Sequence, residues 1–419
     1  MSFRNHDRQY DLVVFGATGY TGALTAEHIT AHLPSNLKWA VAGRSETKLQ
    51  NVIAECKKLN PNRLQPEIEI CNLNGAELNA LAKKTFILIT VVGPYSQYGE
   101  HAFRACAENG THYFDATGEV PWVAKMLAKY EDAAKASGAM MFPQMGLESA
   151  VPDLITWSLV EIIREKLSAK TGDVTLSIHK MSATPSGGTL ATVFNLFDQF
   201  SLGEIGSAFR PYALSPVPNP RKVPSRDTLV TKLLGVRTIP ELGTLTTSVA
   251  GTTDTSVVQR SWGLHASLPS RQQKSYGPNF SFVEFYRARS WFHGILVHFS
   301  LALLGIVMVT PLRGIARKFV SQPGEGPDKE TASKEEMEQR GIAIPDVEPR
   351  PDQIAASRAW YKGSMYYLTG ILLSEAALTV LEDDVDLPGG VFTASCLGQR
   401  YIDRLDGAGF KMETKLIPS

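Results

Sequence analysis

The stretch that decides the fold is Asp11–Gly22, which reads DLVVFGATGYTG. Leu12 to Phe15 is an unbroken apolar run, as a strand covered on both faces requires. Gly16, Gly19 and Gly22 follow at intervals of three, and a helix-forming run begins at Ala23. Strand, glycine turn and helix in that order predict a cradle for a dinucleotide pyrophosphate. Gly16 permits the turn, Gly19 lets the phosphates approach the backbone, and Gly22 lets the helix pack on the sheet. The helix N-terminus offers unpaired N–H groups to the phosphates. Thr18 and Thr21 add hydroxyl donors, and Tyr20 between them completes the cofactor-binding set. The plainer alternative is a tight strand-to-helix turn with no ligand.

Outward from the cradle, a helix over Ala23–Leu33 ends at Pro34. Lys38–Ala42 reads as a second strand, followed by Gly43-Arg44-Ser45. An NAD-preferring fold places a carboxylate near this point to hold the ribose 2′-hydroxyl, and that charge repels a 2′-phosphate. Here Arg44 and Ser45 stand instead, with Lys48 one turn on. A guanidinium can stack on adenine and pair with phosphate, so the expected cofactor is NADP. A solvated loop arginine is the alternative. A helix follows over Glu46–Leu59, then a strand over Glu67–Cys71, with Asn72 where an adenine edge would lie. After a short helix, Ala76–Ala82, the run Phe86–Val92 is the most apolar strand and so central. It ends in Gly93-Pro94-Tyr95 at the edge where ligands bind. Tyr95, Tyr98 and His101 lie just beyond, and Gly118 and Glu119 sit in the turn after the next strand, His112–Ala116. Helices over Gly99–Asn109 and Pro121–Ser137 and a sixth strand, Ala139–Gln144, complete a doubly wound parallel sheet of the Rossmann type.

Beyond Gly146 the pattern changes to α+β. A helix over Leu154–Ser168 and a strand over Asp173–Met181 precede Ser186-Gly187-Gly188-Thr189, which opens a helix to Phe200. That helix start either receives a carbonyl or anion or is a loop that needs glycine. Pro211–Pro278 reads as antiparallel sheet. Trp291–Thr310 carries no Asp, Glu, Lys or Arg over twenty residues, the minimal length of a membrane span. Three readings stay open: a buried or partner-facing helix, an interfacial helix, and a span. Ser321–Arg358 reads as a polar loop, Ala359–Leu381 as a tyrosine-edged helix, Pro388–Val391 as a turn, Phe392–Leu405 as a helix and Phe410–Leu416 as a last strand. The expected division is a dinucleotide-binding domain over 1–150 and a substrate or interaction domain over 151–388. That second domain includes the apolar helix 291–310 and the polar loop 321–358. A C-terminal return over 389–419 would pack on the first domain.

Composition sets wider limits. Over 419 residues, Lys plus Arg and Asp plus Glu balance at 42 each, so no overall charge points to nucleic acid. The four cysteines lack metal-ligand spacing and read as free thiols in a reducing, cytoplasmic setting. Met1–Arg8 has no secretory h-region. No tyrosine is followed by lysine four residues on, which removes the short-chain dehydrogenase device. The absence of a His/Cys cluster removes the zinc-dependent one.

GATGYTG at 16–22, AGRS at 42–45, VVGPY at 91–95, DATGE at 115–119, GLESAVPD at 146–153, SGGT at 186–189, PGEGP at 323–327 and PGGV at 388–391 stand in this order. Together they make a sequence that resembles the saccharopine dehydrogenase-like oxidoreductases, and within them the trans-acting enoyl reductase branch. The resemblance implies a Rossmann domain, an α+β second domain and a dinucleotide cofactor. It also implies association with membranes or lipid droplets, which suits Trp291–Thr310. Many relatives carry GFDS where this chain has Leu147-Glu148-Ser149, so no role carries over to Glu148. The second domain shows no arginine cluster of the kind a saccharopine adduct requires.

The expected activity is NADPH-dependent reduction of an activated C=C, or a related double bond, of an apolar, acyl-like substrate delivered by a carrier protein or synthase. Tyr95 and Tyr98 are the candidate proton donors, His101 stands behind them, and Glu119 orients one of them or the nicotinamide amide. Packing or cofactor support is the alternative for each aromatic. A non-catalytic NADP-binding docking protein and a saccharopine-type imine or amino-acid dehydrogenase are the rival readings, and a homo-oligomer is left open.

Overall fold

The computed structural model describes residues 3–183, 187–219, 228–316, 327–349 and 351–419. Two seven-stranded sheets organise them. In chain order the strands are β1 Tyr10–Phe15, β2 Trp39–Gly43, β3 Glu67–Ile70, β4 Thr85–Thr90, β5 His112–Asp115, β6 Met140–Phe142, β7 Thr171–Ser182, β8 Val236–Ile239, β9 Gly243–Thr247, β10 Ser281–Arg287, β11 Glu336–Pro345, β12 Gln353–Lys362, β13 Gly390–Val391 and β14 Lys411–Pro418. The first sheet runs β13-β6-β5-β4-β1-β2-β3, and every pairing is parallel. The strand order reverses between β1 and β4, and ligands of doubly wound sheets bind beyond the carboxyl ends at that reversal.

Strands of the first sheet are apolar on both faces because helices cover both. Leu12, Val14, Ile87 and Ile89 join one core cluster, and Val13, Phe15 and Leu88 join another. Helices Gly75–Lys83, Glu100–Asn109 and Val120–Ser137 pack on the second of these faces. The first face lies under helix Tyr20–His32 and helix Met365–Glu382, which returns from late in the chain. The first core cluster runs without a break from β1 through helix Leu147–Leu167 into Leu176 and Met337 of the second sheet. The two sheets therefore share one core rather than forming separable halves.

The second sheet runs β14-β12-β11-β7-β10-β9-β8, with only β10 and β7 parallel. It corrects the sequence reading at four places. The polar loop expected over 321–358 is, from Glu336 on, the long strand β11 and much of β12. Its charges are consumed internally, since Glu338 is paired with Arg340 and Arg358. The helix expected over Ala359–Leu381 starts only at Met365, because Ala359–Lys362 complete β12. The antiparallel sheet expected over Pro211–Pro278 is reduced to β8 and β9, and Gly251–Ser267 is a buried helix. Its Thr and Ser residues lower helix propensity, but Thr255, Ser256 and Ser261 return their hydroxyls to carbonyls four residues back, and burial outweighs propensity. The C-terminal return serves both sheets. The expected turn at 388–391 contributes β13, held by Gly390 N–H to Ala139 O at 2.9 Å, while β14 pairs with β12.

Helix Leu147–Leu167 starts well before Leu154, with Pro152 inside it. Helix Trp291–Val309 is real, but only 11% of its most apolar window is buried. Gly294 and Met308 alone are buried on it, so the buried-helix reading fails. A single membrane crossing fails as well, because β10 before it and β11 after it both pair with β7. Thr246 Oγ1 donates to Gly294 O at 2.7 Å, and Thr247 meets His298 at 2.7 Å, so one flank is tied to the sheet.

Candidate active site

Three loops meet at the carboxyl edge of the first sheet. After β1, Gly16 takes φ +89, and a Cβ there would lie 2.6 Å from Val92 Cγ2. A Cβ on Gly22 would lie 2.2 Å from Gly16 O, so helix Tyr20–His32 can approach the turn only with glycine at that position. Gly19 is the N-cap, no side chain caps the helix, and its first turn holds no acidic residue. The first N–H groups are thus left to an incoming anion. Thr18 is exposed and Thr21 half-buried beside them. Tyr20 faces the second lobe instead: its hydroxyl donates to Pro327 O at 2.8 Å and its ring meets Tyr366 edge-on. It ties the two lobes together at the cradle.

After β2, Thr18 Oγ1 lies 4.0 Å from the Cβ position of Gly43, which sets Arg44 and Ser45 beside the cradle. Arg44 is exposed, and among the described residues no carboxylate pairs with it. Ser45 caps helix Glu46–Leu59 by position, with its hydroxyl uncommitted to that helix. Asn72 is exposed beyond β3, and its amide and N–H both go to the Glu77 carboxylate. Those bonds draw the Glu77 carboxyl below its ordinary value. This clamp escaped the sequence reading.

After β4 the outcome differs from expectation. Tyr95 is buried; its hydroxyl donates to Thr90 O at 3.0 Å and accepts from Ala116 N–H at 3.3 Å. Burial pushes its ionisation far up. It faces the interior against Trp122, where its two hydrogen bonds stitch the loops after β4 and β5 together. Glu119 is spent in the same way, accepting from Tyr95 N–H at 2.6 Å and Ser96 N–H at 3.0 Å. Burial raises its carboxyl, and the bonds from Ser96 and Tyr95 oppose that. Both of its oxygens hold the loop that carries Tyr95 and Ser96. Tyr98 and His101 are exposed, and His101 lies by Gly75 at a neighbouring helix start rather than behind Tyr95. Gly93 and Gly118 are exposed at the edge, with open space where a Gly118 side chain would go, and Pro94 is buried. Ser186 of the SGGT run lies outside the described residues, as do residues 323–326 of PGEGP.

The same edge carries carboxyls that the sequence reading missed. Asp115, at the end of β5, accepts from Tyr113 hydroxyl at 2.7 Å and from the N–H groups of Thr117 and Gln144. Burial nevertheless lifts it to about 7. Glu148 stands in the first turn of helix Leu147–Leu167. That helix leaves the edge at Gly146, whose Cβ position is 3.3 Å from Ala116 Cβ. Glu148 is exposed to solvent, and the protein packed around it raises its carboxyl by desolvation. Asp254 from helix Gly251–Ser267 and Glu284 from β10 complete a group of three within electrostatic reach of one another, with Tyr286 beside them. Glu148 had a motif around it; Asp254 and Glu284 lie in unremarkable sequence and meet only through the second sheet. Among the described residues no group of His, Cys, Asp and Glu has metal-binding geometry. Arginines do gather in the second lobe, on the sheet face opposite these carboxyls, where Glu338 pairs with Arg340 and Arg358.

With that geometry in view, comparison with known proteins decides the family. The saccharopine dehydrogenase NADP binding domain model matches residues 12–142. The mouse saccharopine dehydrogenase-like oxidoreductase is 30% identical, the match covering 96% of this chain and 97% of that one. The chain belongs to the saccharopine dehydrogenase-like oxidoreductase family. A trans-acting enoyl reductase of Mycobacterium tuberculosis is 28% identical over 97% of this chain and 98% of that protein. The apo saccharopine dehydrogenase (L-Glu forming) of Saccharomyces cerevisiae shares the fold, with a TM-score of 0.54 at 10% identity over 97% of this chain and 100% of that one. As a member of this family the chain is an NADP-binding oxidoreductase. The uncapped helix start and glycine turn fit such a coenzyme: the tight turn admits only glycine at 16 and 22, and the helix's first N–H groups carry no side-chain cap.

Proposed function

We propose that this oxidoreductase uses NADPH to reduce the activated C=C of an apolar, acyl-like substrate presented by a carrier protein or synthase. The observation that carries the reading is the uncapped helix start with Arg44, unpaired among the described residues, beside it. The mycobacterial relative's name, trans-acting enoyl reductase, supports the same reading. Reduced coenzyme supplies a hydride for the β-carbon of the substrate. The residues Gly16, Thr18, Gly19, Thr21 and Gly22 hold the pyrophosphate, Arg44 and Ser45 the 2′-phosphate, and Asn72 the adenine edge. Gly93, Pro94 and Gly118 leave room for the nicotinamide at the edge, and the second lobe excludes water above it. The exposed helix Trp291–Val309 gives an apolar chain, or the lipid surface that holds it, a place to dock.

The experiment is NADPH oxidation followed by absorbance with 2-enoyl thioesters of increasing chain length. Turnover that rises with chain length supports the reading. Coenzyme binding without oxidation on any enoyl thioester removes it and leaves a non-catalytic coenzyme-binding protein. Activity on a free amine plus a 2-oxo acid would instead favour a saccharopine-type reaction.

A further inference from the structure

Asp254 and Glu284 are both almost wholly buried, at 0% and 5% exposure. No N–H or hydroxyl donor reaches either Asp254 oxygen or Glu284 Oε2; Glu284 Oε1 accepts from Ser248 hydroxyl at 3.1 Å, and the pair's other bond is the one between the two carboxyls. The two carboxyls face one another. Helix Leu147–Leu167 contributes Glu148, helix Gly251–Ser267 contributes Asp254, and β10 contributes Glu284 and Tyr286 on one face at a spacing of two. Beside β10, β7 offers only Leu176 and Ile178 on that face. Among the described residues no lysine or arginine offsets the three carboxyls. Unpaired anions this deep are not sustained; the group retains protons instead. Burial and the mutual repulsion of the carboxyls hold Asp254 far above its ordinary value and Glu284 near 7. Only Glu148 reaches solvent, at the sheet edge where the nicotinamide would lie.

We propose that Glu148 is the proton donor of the reduction and that the Asp254–Glu284 pair is its buried proton store. This rests on the reductase reading given above. As hydride adds to the β-carbon, the π pair of the C=C moves onto the thioester oxygen as an enolate. Glu148 then gives its proton to the α-carbon, the C=O bond reforms, and the Glu148 carboxylate recovers a proton from the pair; Glu148, the one of the three that meets solvent, then takes a proton from water and passes it back to the pair. The coenzyme is oxidised and the double bond is reduced, with one hydride and one proton consumed. Tyr286, on the same face, holds the pair's orientation through Ser248.

Two measurements test this on the full chain. Infrared titration of the apoprotein should show the C=O stretch of protonated carboxyl persisting through neutral pH, and Asp254→Asn and Glu284→Gln should each diminish it. If all carboxyls ionise in the ordinary range, the store is refuted whatever the enzyme does. In turnover, Glu148→Gln should retain NADPH affinity by fluorescence titration and lose about 10²–10⁴-fold in kcat, with a solvent deuterium isotope effect that Glu284→Gln also alters. Unchanged kcat and pH profile in Glu148→Gln refute the donor while the reductase reading stands. A wild type with the infrared band but no oxidation on any enoyl thioester overturns the reductase reading and the proton step together.

Discussion

At the scale of single residues, the edge of the first sheet separates groups that face a ligand from groups that hold the loops. Arg44 is exposed and unpaired among the described residues, so its charge is available to a 2′-phosphate. Arg44→Asp should weaken NADPH binding at least tenfold, in line with the ~1.5–3 kcal/mol of a charged hydrogen bond, and raise relative affinity for NADH. An unchanged ratio in paired titrations would remove Arg44 from the site. Tyr95 is the opposite case, its hydroxyl bonded to Thr90 O and Ala116 N–H in the interior. Tyr95→Phe should lower stability by about 1–3 kcal/mol and leave the pH profile of turnover unmoved. Loss of one limb of that profile would restore it as an acid. The sequence placed Tyr95 at the right edge, but it could not show which way the ring points. That direction is set by Glu119, which is 24 residues away and binds the Tyr95 N–H.

At the scale of elements, helix Trp291–Val309 is anomalous. Phe292, Leu303 and Ile306 are exposed at 79%, 62% and 56%, so nothing among the described residues accounts for their apolar character. Replacing all three by Ser should change the urea midpoint little, since exposed substitutions move stability within about 0.5 kcal/mol each. The same variant should lose co-sedimentation with phospholipid vesicles if the helix is the docking face. A marked fall in stability would show instead that the helix is packed. The elements of the first sheet were legible because most of its strands are apolar runs closed by a glycine or proline, and the edge strand β3, EIEI, showed by its alternation. Those of the second were not. β11 carries Glu338 and Arg340, and its charge resembles a loop until Arg358 from β12 is brought beside it. The buried helix Gly251–Ser267 was hidden by its β-branched and hydroxylated residues for the same reason.

At the scale of the whole molecule, buried titratable groups of both kinds shape the pH dependence of folding. Burial pushes His112 and His265 down to about 3 and His179 to about 4. The unfolded chain takes up protons there that the native state refuses, so these groups cost stability as pH falls below the ordinary histidine range. Asp115 and Glu284 are lifted to about 7 and Asp153 to about 6. Their contribution is present below the ordinary carboxylate range and lost as pH rises through those values. The two sets oppose each other from mildly acidic solution to above neutrality. Stability should therefore decline slightly between about pH 6.5 and 8, by on the order of 1 kcal/mol or less, since most of the carboxyl contribution, at about 1.4 kcal/mol per unit of displacement, is already lost below pH 6.5 and the unfolded histidines still oppose the remainder. Urea midpoints in that range should fall less steeply in Glu284→Gln, and an equal slope would show that Glu284 is ionised throughout. The chain alone determined the parallel sheet, its phosphate turn and the coenzyme, because those depend on contiguous residues: an apolar run, glycines three apart, an arginine after the second strand. The second sheet, the shared core and the group of Glu148, Asp254 and Glu284 were decided only in three dimensions. Each joins residues tens to hundreds of positions apart, and the sign and spacing of such pairs leave no local trace.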